Sequence, residues 1–306
     1  MEKIYDVIVI GGGPAGYTSA IYTSRAGFDT LVVEKISAGG QMTQTAQIDN
    51  YPGFPDGVSG FDLGGKMQQG AERFGTKTAN AEVIEVGLKN KIKTIKTHNE
   101  NFLARSVIIA TGAEHKSLGL ENEGKLIGKG VGYCAACDGM FYKGKNVVVI
   151  GGGNSAAADA LLLSKICKKV IVVHRRDTLR AENIYHEPLF KAQNVEFVWN
   201  STVCEILAEN KVTGVRIKNL VEGTEKEISA DGVFISIGRT PRTAIFCGQL
   251  DIDKNGYIIA DETTRTNIGG VFAVGDVRTK PVRQIVTATA DGAAASHFAE
   301  EYLANI

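Results

Sequence analysis

IYDVIVIGGGPAG at residues 4–16 and GKNVVVIGGGNSA at residues 144–156 are two copies of one pattern. Each is an apolar, β-rich run that meets three consecutive glycines and then small residues suited to open a helix. This is the strand, glycine turn and helix order of a dinucleotide-binding unit, G-x-G-x-x-G in the first copy and G-x-G-x-x-A in the second. Two copies predict an α/β fold with two Rossmann-like dinucleotide-binding domains.

Each position of this motif has its own physical task. The first glycine allows a tight turn, the second lets the backbone approach a pyrophosphate, and the third small residue lets the helix pack closely. These positions are Gly11, Gly13 and Gly16 in the first copy and Gly151, Gly153 and Ala156 in the second. The contacts expected at the two turns also include Pro14, Ala15, Asn154 and Ser155.

The end of the second strand in each unit indicates which nucleotide is held. Glu34 lies 23 residues after Gly11, where an acid commonly accepts hydrogen bonds from an adenosine ribose. His174 lies 23 residues after Gly151, so the second copy has a histidine at the same register.

A cluster of guanidinium groups follows this histidine, at Arg175, Arg176 and Arg180. Arginine offers fixed, charge-assisted hydrogen bonds to phosphate oxygens and therefore suits the 2′-phosphate of NADPH. The alternative is a solvated basic turn. Because the arginines stand at the ribose register of a dinucleotide motif, we favour NADPH as the second nucleotide.

The last third of the chain helps to identify the first nucleotide, since Glu34 suits either NAD or the adenosine half of FAD. Residues 269–277, GGVFAVGDV, predict a strand that ends at Gly275 and Asp276. A helix then opens within RQIVTATADGAAAS and can direct its positive end at the far part of a flavin, while Asp276 accepts a ribityl hydroxyl. We therefore expect FAD.

The order of the motifs implies that one domain is inserted into the other. Apolar strands that end in ATG at 107–112 and SIG at 233–238 are expected to close the two units. We predict an FAD-binding domain in two parts, residues 1–115 and 245–306, and an inserted NADPH-binding domain at residues 116–244.

Composition excludes several other classes of protein. The 306 residues include 34 basic and 34 acidic side chains, so no net charge attracts nucleic acid or an anionic membrane. No apolar run is long enough for a membrane helix, and the amino terminus does not resemble a signal peptide. We expect a soluble cytoplasmic protein. Glycine is in excess, with 36 residues, which fits close approach of the backbone to ligands.

Cys134 and Cys137 have the C-x-x-C spacing of a redox dithiol, and Asp138 follows directly. A zinc site would need a second pair of ligands that the sequence does not offer, so we expect no metal. Two inert core cysteines are a further alternative, but the glycines around the pair describe a turn. We favour a redox-active disulfide, with Asp138 moving a proton to the departing thiolate if burial raises its pKa. The remaining cysteines are expected to be small core residues: Cys167, Cys204 and Cys247.

With GGQ at 39–41, CAACDG at 134–139, HRRDTLRA at 174–181 and the motifs already quoted, the whole chain resembles the bacterial-type, low-molecular-weight thioredoxin reductases. The resemblance implies a homodimer with tightly bound FAD and a thioredoxin-like protein as substrate. It also implies that Cys137 faces the flavin and that Cys134 attacks the substrate. Asp138 matches the acid of the family.

The resemblance extends the expected FAD contacts beyond the glycine turn. The additional residues, some carried over from the family and some adjoining its motifs, are Lys35, Gly39, Gly40, Gln41, Asn50, Thr111, Gly112, Gly275, Asp276, Arg283, Gln284, Ile285 and Ala288. Glu34 is expected at the FAD site from its register alone. Three features depart from the family: Ala135-Ala136 between the cysteines, the acid Glu34, and LGLENEG at residues 118–124.

Electrons are expected to pass from NADPH to FAD, then to the disulfide, and then to oxidised thioredoxin. The nicotinamide and the disulfide belong to the same inserted domain, yet both must reach one flavin. We therefore expect a large rotation of that domain between half-reactions. Two alternatives stay open: the same chemistry on a glutaredoxin-like or peroxiredoxin-linked carrier, and a non-catalytic NADPH-sensing flavoprotein.

Overall fold

A computed structural model of the chain describes residues 3–45 and 47–306. The chain forms two compact units. One contains the residues up to Glu114 and again Thr240–Ile306, and the other is His115–Arg239. The second unit is therefore a continuous insertion within the first.

The regular elements follow one another along both units. The strands are β1 (Ile4–Ile10), β2 (Thr30–Glu34), β3 (Lys77–Asn80), β4 (Val83–Gly87), β5 (Lys93–Thr97), β6 (Asn101–Ile109), β7 (Ala113–His115), β8 (Val131–Gly132), β9 (Asn146–Ile150), β10 (Lys169–Val173), β11 (Val195–Val198), β12 (Ser201–Ala208), β13 (Val212–Asn219), β14 (Glu225–Ser229), β15 (Gly232–Ile235), β16 (Arg239–Pro241) and β17 (Val271–Ala273). The α-helices are α1 (Pro14–Arg25), α2 (Gly60–Glu72), α3 (Ala135–Asp138), α4 (Asn154–Ser164), α5 (His186–Lys191) and α6 (Ile285–Ala304). Short 3-10 helices span Gly40–Gln44, Gly124–Leu126, Gly139–Tyr142, Asn183–Tyr185, Ala244–Phe246 and Gly275–Val277.

The first unit is built on a sheet of seven strands within the described residues, in the order β3-β2-β1-β6-β5-β4, with β17 also paired to β6. β1 lies in the middle and is parallel to both β2 and β6. Alternate residues of β1 face opposite sides, so Val7 and Val9 pack beneath α1, α2 and α6. Ile8 and Ile10 lie on the other face of the sheet, in a second core cluster that includes Val86 from β4.

The second unit has a parallel sheet in the order β11-β10-β9-β15-β8. Its central strand β9 is buried almost throughout, as expected for a parallel strand covered on both faces. Val147 and Val149 pack against α4 on one face. Val148 and Ile150 pack on the other face against the antiparallel sheet β12-β13-β14.

The chain passes between the units twice, through β7 and through β16, and these two strands pair with each other. Gly112 precedes β7 and Arg242 follows β16, and both belong to the first unit. The backbone N–H of Arg242 donates to the carbonyl of Gly112 at 3.0 Å. The predicted fold class, an α/β protein with two Rossmann-like sheets, is confirmed. Among the described residues, the helices are all too short or too polar to cross a membrane.

Candidate functional site

The first glycine turn separates glycines that the fold requires from one that it does not. A Cβ on Gly11, whose φ is +107°, would lie 2.5 Å from the carbonyl oxygen of Ala110. A Cβ on Gly16 would lie 1.9 Å from the carbonyl oxygen of Gly11. Gly13 has an ordinary φ of −79°, and a Cβ there would meet nothing within 4 Å. Neither backbone strain nor packing among the described residues therefore explains Gly13, and the open space beside it would admit a phosphate group.

The second glycine turn repeats this division. A Cβ on Gly151, at φ +144°, would lie 2.4 Å from the carbonyl oxygen of Ser236. Gly153 has a φ of −94°, and a Cβ there would again meet nothing within 4 Å. In both turns the fold requires the first glycine, Gly11 or Gly151. In both, open space lies beside the second glycine of the motif, Gly13 or Gly153.

Helices α1 and α4 begin directly after these middle glycines, which serve as their N-caps. Glycine has no side chain to accept hydrogen bonds from the first-turn amides, so those N–H groups stay available to an anion. The helix dipole adds partial positive charge at the same end. Both turns therefore fit the pyrophosphate of a dinucleotide.

Glu34 is held against the first turn by the backbone. Its Oε2 accepts the N–H of Gly12 at 2.5 Å, and its Oε1 accepts the N–H of Ile36 at 3.1 Å. These bonds fix the carboxylate at the edge of the expected adenosine site. The neighbouring Lys35 forms a surface ion pair with Glu82 at 2.7 Å.

Several predicted flavin residues that are far apart in sequence meet at the first turn. The N–H of Gly39 donates to the carbonyl of Gly12 at 2.8 Å. A Cβ on Gly40 would lie 3.4 Å from the Cα of Gly13. A Cβ on Gly275 would lie 3.1 Å from the Cβ of Ala15 and 3.6 Å from that of Ala288.

The other predicted flavin residues lie on the segments around this cluster. Asn50 Nδ2 donates to Gln284 Oε1 at 3.2 Å, and Gln41 donates to the carbonyl of Ala113. Arg283 places its guanidinium 4.2 Å from the ring centre of Tyr257, and its Nε is buried without a hydrogen-bond partner among the described residues. The remaining positions are Thr111, which donates to the carbonyl of Arg242, Gly112 at φ +69°, Asp276 in the turn Gly275–Val277, and Ile285 at the start of α6.

His174 packs directly on the second glycine turn. A Cβ on Gly152 would lie 2.4–2.5 Å from its ring atoms, so only glycine fits beneath it. The imidazole is 4% exposed, and its Nε2 is buried without a hydrogen-bond partner among the described residues. Burial lowers the pKa of His174, and the nearby arginines lower it further. The lowered pKa favours the neutral form of the ring, which packs against the glycine turn.

The basic loop after His174 folds back over the same turn. The backbone N–H of Arg180 donates to the carbonyl of Gly152 at 2.7 Å. Arg175, Arg176 and Arg180 are all exposed. All three lie close enough to His174 to lower its pKa. Exposed guanidinium groups in this position could bind the oxygens of a 2′-phosphate.

Cys134 and Cys137 form a disulfide across the start of α3, with their Cα atoms 5.3 Å apart. Asp138 is the last residue of this short helix, and burial raises its pKa to about 6. A carboxyl group with this pKa can hold a proton near neutral pH and release it to a neighbouring thiolate. Burial thus gives Asp138 the raised pKa that a proton donor to the thiolate needs.

Comparison with known proteins identifies the family. Residues 5–292 match the family model described as pyridine nucleotide-disulphide oxidoreductase. Thioredoxin reductases of Listeria monocytogenes and Bacillus subtilis are 49% and 45% identical over 303 residues, covering 99% of this chain and 95% and 96% of theirs. The crystal structure of thioredoxin reductase from Streptococcus pyogenes matches all of both chains with a TM-score of 0.93 at 40% identity. This chain belongs to the thioredoxin reductase family.

Membership of the thioredoxin reductase family confirms the resemblance found in the motifs and the predicted enzyme class, a disulfide oxidoreductase. The family uses a flavin and a pyridine nucleotide. The bonded Cys134–Cys137 pair fits the redox-active disulfide of such an enzyme. The roles of the individual cofactor-binding residues stay predictions.

Sequence reasoning missed a buried carboxylate in this chain. Glu123 is 3% exposed and accepts hydrogen bonds from Ser117 Oγ at 2.8 Å, the N–H of Gly119 at 3.0 Å and Tyr133 Oη at 2.5 Å. Burial raises its pKa, but these hydrogen bonds outweigh burial and hold the pKa below its usual value. Glu123 thus ties the segment after β7 to the residue that precedes Cys134. Glu123 lies within the LGLENEG segment at residues 118–124, and no sequence motif marks it as a functional residue.

A second missed residue lies on α4. Asp159 accepts a hydrogen bond from Ser236 Oγ at 2.5 Å. Burial raises the pKa of Asp159, and the nearby backbone N–H of Ala135, next to Cys134, acts in the opposite direction. Asp159 thus lies on the helix that begins at the second glycine turn and close to the redox turn. The expectation that all three single cysteines are core residues is wrong for two of them: Cys167 is buried, whereas Cys204 and Cys247 are exposed.

Proposed function

We propose that this protein is an NADPH-dependent thioredoxin-disulfide reductase that holds FAD in the unit formed by the two outer segments. In this proposal, the predicted FAD domain comprises residues 1–115 and 245–306, and residues 116–244 bind NADPH. One observation carries the nucleotide assignment: two glycine turns of the same geometry differ at one register, with Glu34 in one and the His174 arginine loop in the other.

The part of the reaction that this chain's own side chains carry out begins at the disulfide. Bound FAD supplies hydride acceptance from NADPH and delivery of two electrons. Those electrons break the Cys134–Cys137 bond and leave two sulfur atoms at the thiol level. Reduction also requires protons, and Asp138, with its pKa raised to about 6, donates one to a departing thiolate.

The second half of the reaction is thiol–disulfide exchange. The thiolate of Cys134 attacks one sulfur of the oxidised substrate, which forms a mixed disulfide and releases the other substrate sulfur as a thiolate. Cys137 then attacks the sulfur of Cys134. The enzyme disulfide forms again, and the substrate leaves as a dithiol.

Anaerobic reduction by the two nicotinamide nucleotides tests the cofactor assignment. We expect NADPH to bleach the flavin absorbance at much lower concentration than NADH. Arg176→Ala should reduce this preference at least tenfold because it removes a fork to the 2′-phosphate. Arg105→Ala is the matched control. It removes a surface arginine of the FAD-binding unit, where Arg105 pairs with Asp6 of the same unit. Equal use of NADH by the wild-type enzyme would contradict the arginine assignment.

Turnover with protein substrates tests the rest of the proposal. Cys134→Ser should still be bleached by NADPH but should reduce no thioredoxin. The substrate panel should include the host's own thioredoxins and glutaredoxin-like and peroxiredoxin-linked carriers. Faster reduction of a glutaredoxin-like or peroxiredoxin-linked carrier would identify that carrier as the substrate in place of thioredoxin. Bleaching of the flavin without turnover of any carrier would favour the non-catalytic sensing flavoprotein. A mass in solution twice that of the chain would support the proposed homodimer.

A further inference from the structure

A buried ionic cluster lies in the first unit, between the turn Gly275–Val277 and α6. Its members are Arg278, Lys280 and Asp291, whose side chains are 2%, 5% and 6% exposed. None of the three was singled out by the sequence motifs. Charged side chains are rarely buried to this extent, and each must be balanced by a partner or a ligand.

Arg278 and Asp291 form a complete pair. Arg278 Nε donates to Asp291 Oδ2 at 2.9 Å, and its second terminal nitrogen donates to Oδ1 at 2.8 Å. Another guanidinium nitrogen donates to the carbonyls of Ala260 and Thr279. This bidentate arrangement neutralises one arginine with one carboxylate.

Lys280 brings a second positive charge to the same carboxylate. Its Nζ lies 2.8 Å from Asp291 Oδ2 and 3.2 Å from the carbonyl of Thr287. Glu262 also pairs with Arg278, but at 3.5 Å and with a side chain that is 90% exposed, so water screens it. Two buried cations thus share one buried carboxylate. Among these three buried side chains there is a surplus of one positive charge, which the exposed Glu262 offsets only in part.

The cluster adjoins the first glycine turn. Asp291 Oδ2 also accepts the N–H of Gly275 at 2.8 Å. A Cβ on Gly275 would lie 3.1 Å from the Cβ of Ala15, and a Cβ on Gly292 would lie 2.4 Å from the carbonyl oxygen of Ala15. The surplus charge therefore lies behind the first turn of α1, where the open space at Gly13 fits a pyrophosphate.

We propose that Lys280 is a positioning residue of the FAD site whose buried positive charge, left over by the Arg278–Asp291 pair, complements the pyrophosphate of bound FAD. The inference rests on the proposed FAD site. It acts through the cluster: the carboxylate that Lys280 shares also holds the Gly275 turn against α1. The charge is accommodated in the interior because the ligand brings the opposite charge.

The test is the dissociation constant of FAD, measured from the fluorescence of FAD released when the holoenzyme is diluted. Lys280→Met keeps the length of the side chain and removes its charge, and we expect at least a tenfold weaker affinity. Lys280→Arg keeps the charge and should stay within about threefold of wild type. Lys96→Met removes an exposed lysine of the same unit, paired with Glu85, and should change nothing.

The competitors ADP and adenosine separate charge from fold, because only ADP carries a pyrophosphate. In the Lys280→Met enzyme, the dissociation constant of ADP should rise by about the same factor as that of FAD, while the dissociation constant of adenosine should not change, so that less adenosine displaces the weakened FAD. Unchanged FAD affinity in Lys280→Met, equal loss in Lys280→Arg, or equal weakening of ADP and adenosine would each overturn the inference. A wild-type chain that binds no FAD would instead contradict the proposed function itself.

Discussion

At the scale of single residues, Asp138 shows how a catalytic requirement opposes stability. Burial raises the pKa of its carboxyl group to about 6, from 3.8. The folded chain therefore retains a proton on this group at pH values where the unfolded chain has lost it. Stability falls as the pH rises from about 4 to about 6, because the folded state disfavours the charged form.

Asp138→Asn should consequently lose activity and gain stability. We expect thioredoxin reduction to fall by about 10²-fold, since the proton donor is gone, while NADPH still bleaches the flavin. The free energy of unfolding at pH 7.5 should rise by up to about 3 kcal/mol relative to wild type, and by little at pH 4. Urea unfolding of both proteins at several pH values measures this difference. A stability difference that does not change with pH would show that burial does not shift this pKa.

At the scale of elements, the two strand, turn and helix units use glycine for two different reasons. The fold itself requires Gly11 and Gly16, since a Cβ at either would collide with backbone oxygen atoms. At Gly13 and Gly153 a Cβ would meet open space, and the φ values are ordinary. Among the described residues, neither strain nor packing restricts these two positions, as expected if the proposed nucleotides lie close to the backbone.

Alanine substitutions should therefore separate the two sites. Gly13→Ala should leave the fold intact and weaken FAD binding, whereas Gly153→Ala should raise the KM for NADPH at least tenfold and leave bound FAD unchanged. Gly16→Ala, with a Cβ 1.9 Å from the oxygen of Gly11, should instead destabilise the first unit. Circular dichroism, flavin absorbance and steady-state kinetics distinguish these results. Equal loss of fold in Gly13→Ala and Gly16→Ala would remove the evidence for a ligand at the turn.

At the scale of the whole molecule, the order of the motifs places demands on how the units move. The disulfide and the arginine loop belong to His115–Arg239, and the proposed flavin residues belong to the other unit. Under the proposed function, one flavin exchanges electrons with both the nicotinamide and the disulfide. We therefore expect one unit to rotate against the other about the paired strands β7 and β16.

Two native cysteines offer a direct measurement of this rotation. Cys204 and Cys247 are exposed and lie in different units, while the redox pair is protected as a disulfide in the oxidised enzyme. Fluorescent dyes on both should show two transfer efficiencies whose populations change when NADPH is added. A control pair within one unit, Cys247 with Ile36→Cys in a Cys204→Ala background, should show a single value. One unchanging value for the first pair would contradict rotation.

The sequence by itself determined the two dinucleotide folds, the redox pair and the chemical class. Those features depend on neighbours along the chain: glycines at fixed spacing, an acid or a histidine at one register, and two cysteines three residues apart. The physical constraints at such positions are local, so the pattern is visible without coordinates.

The tertiary structure alone decided which buried charges support the sites. Glu123, Asp159 and the Arg278–Asp291–Lys280 cluster derive their surroundings from other elements, as when Asp159 of α4 accepts a hydrogen bond from Ser236 Oγ directly after β15. Their burial and pKa shifts arise only when the chain folds, because desolvation and hydrogen bonds from distant segments do not exist in the sequence. The exposure of Cys204 and Cys247 was wrongly predicted for the same reason: an isolated cysteine carries no local signal of what packs around it.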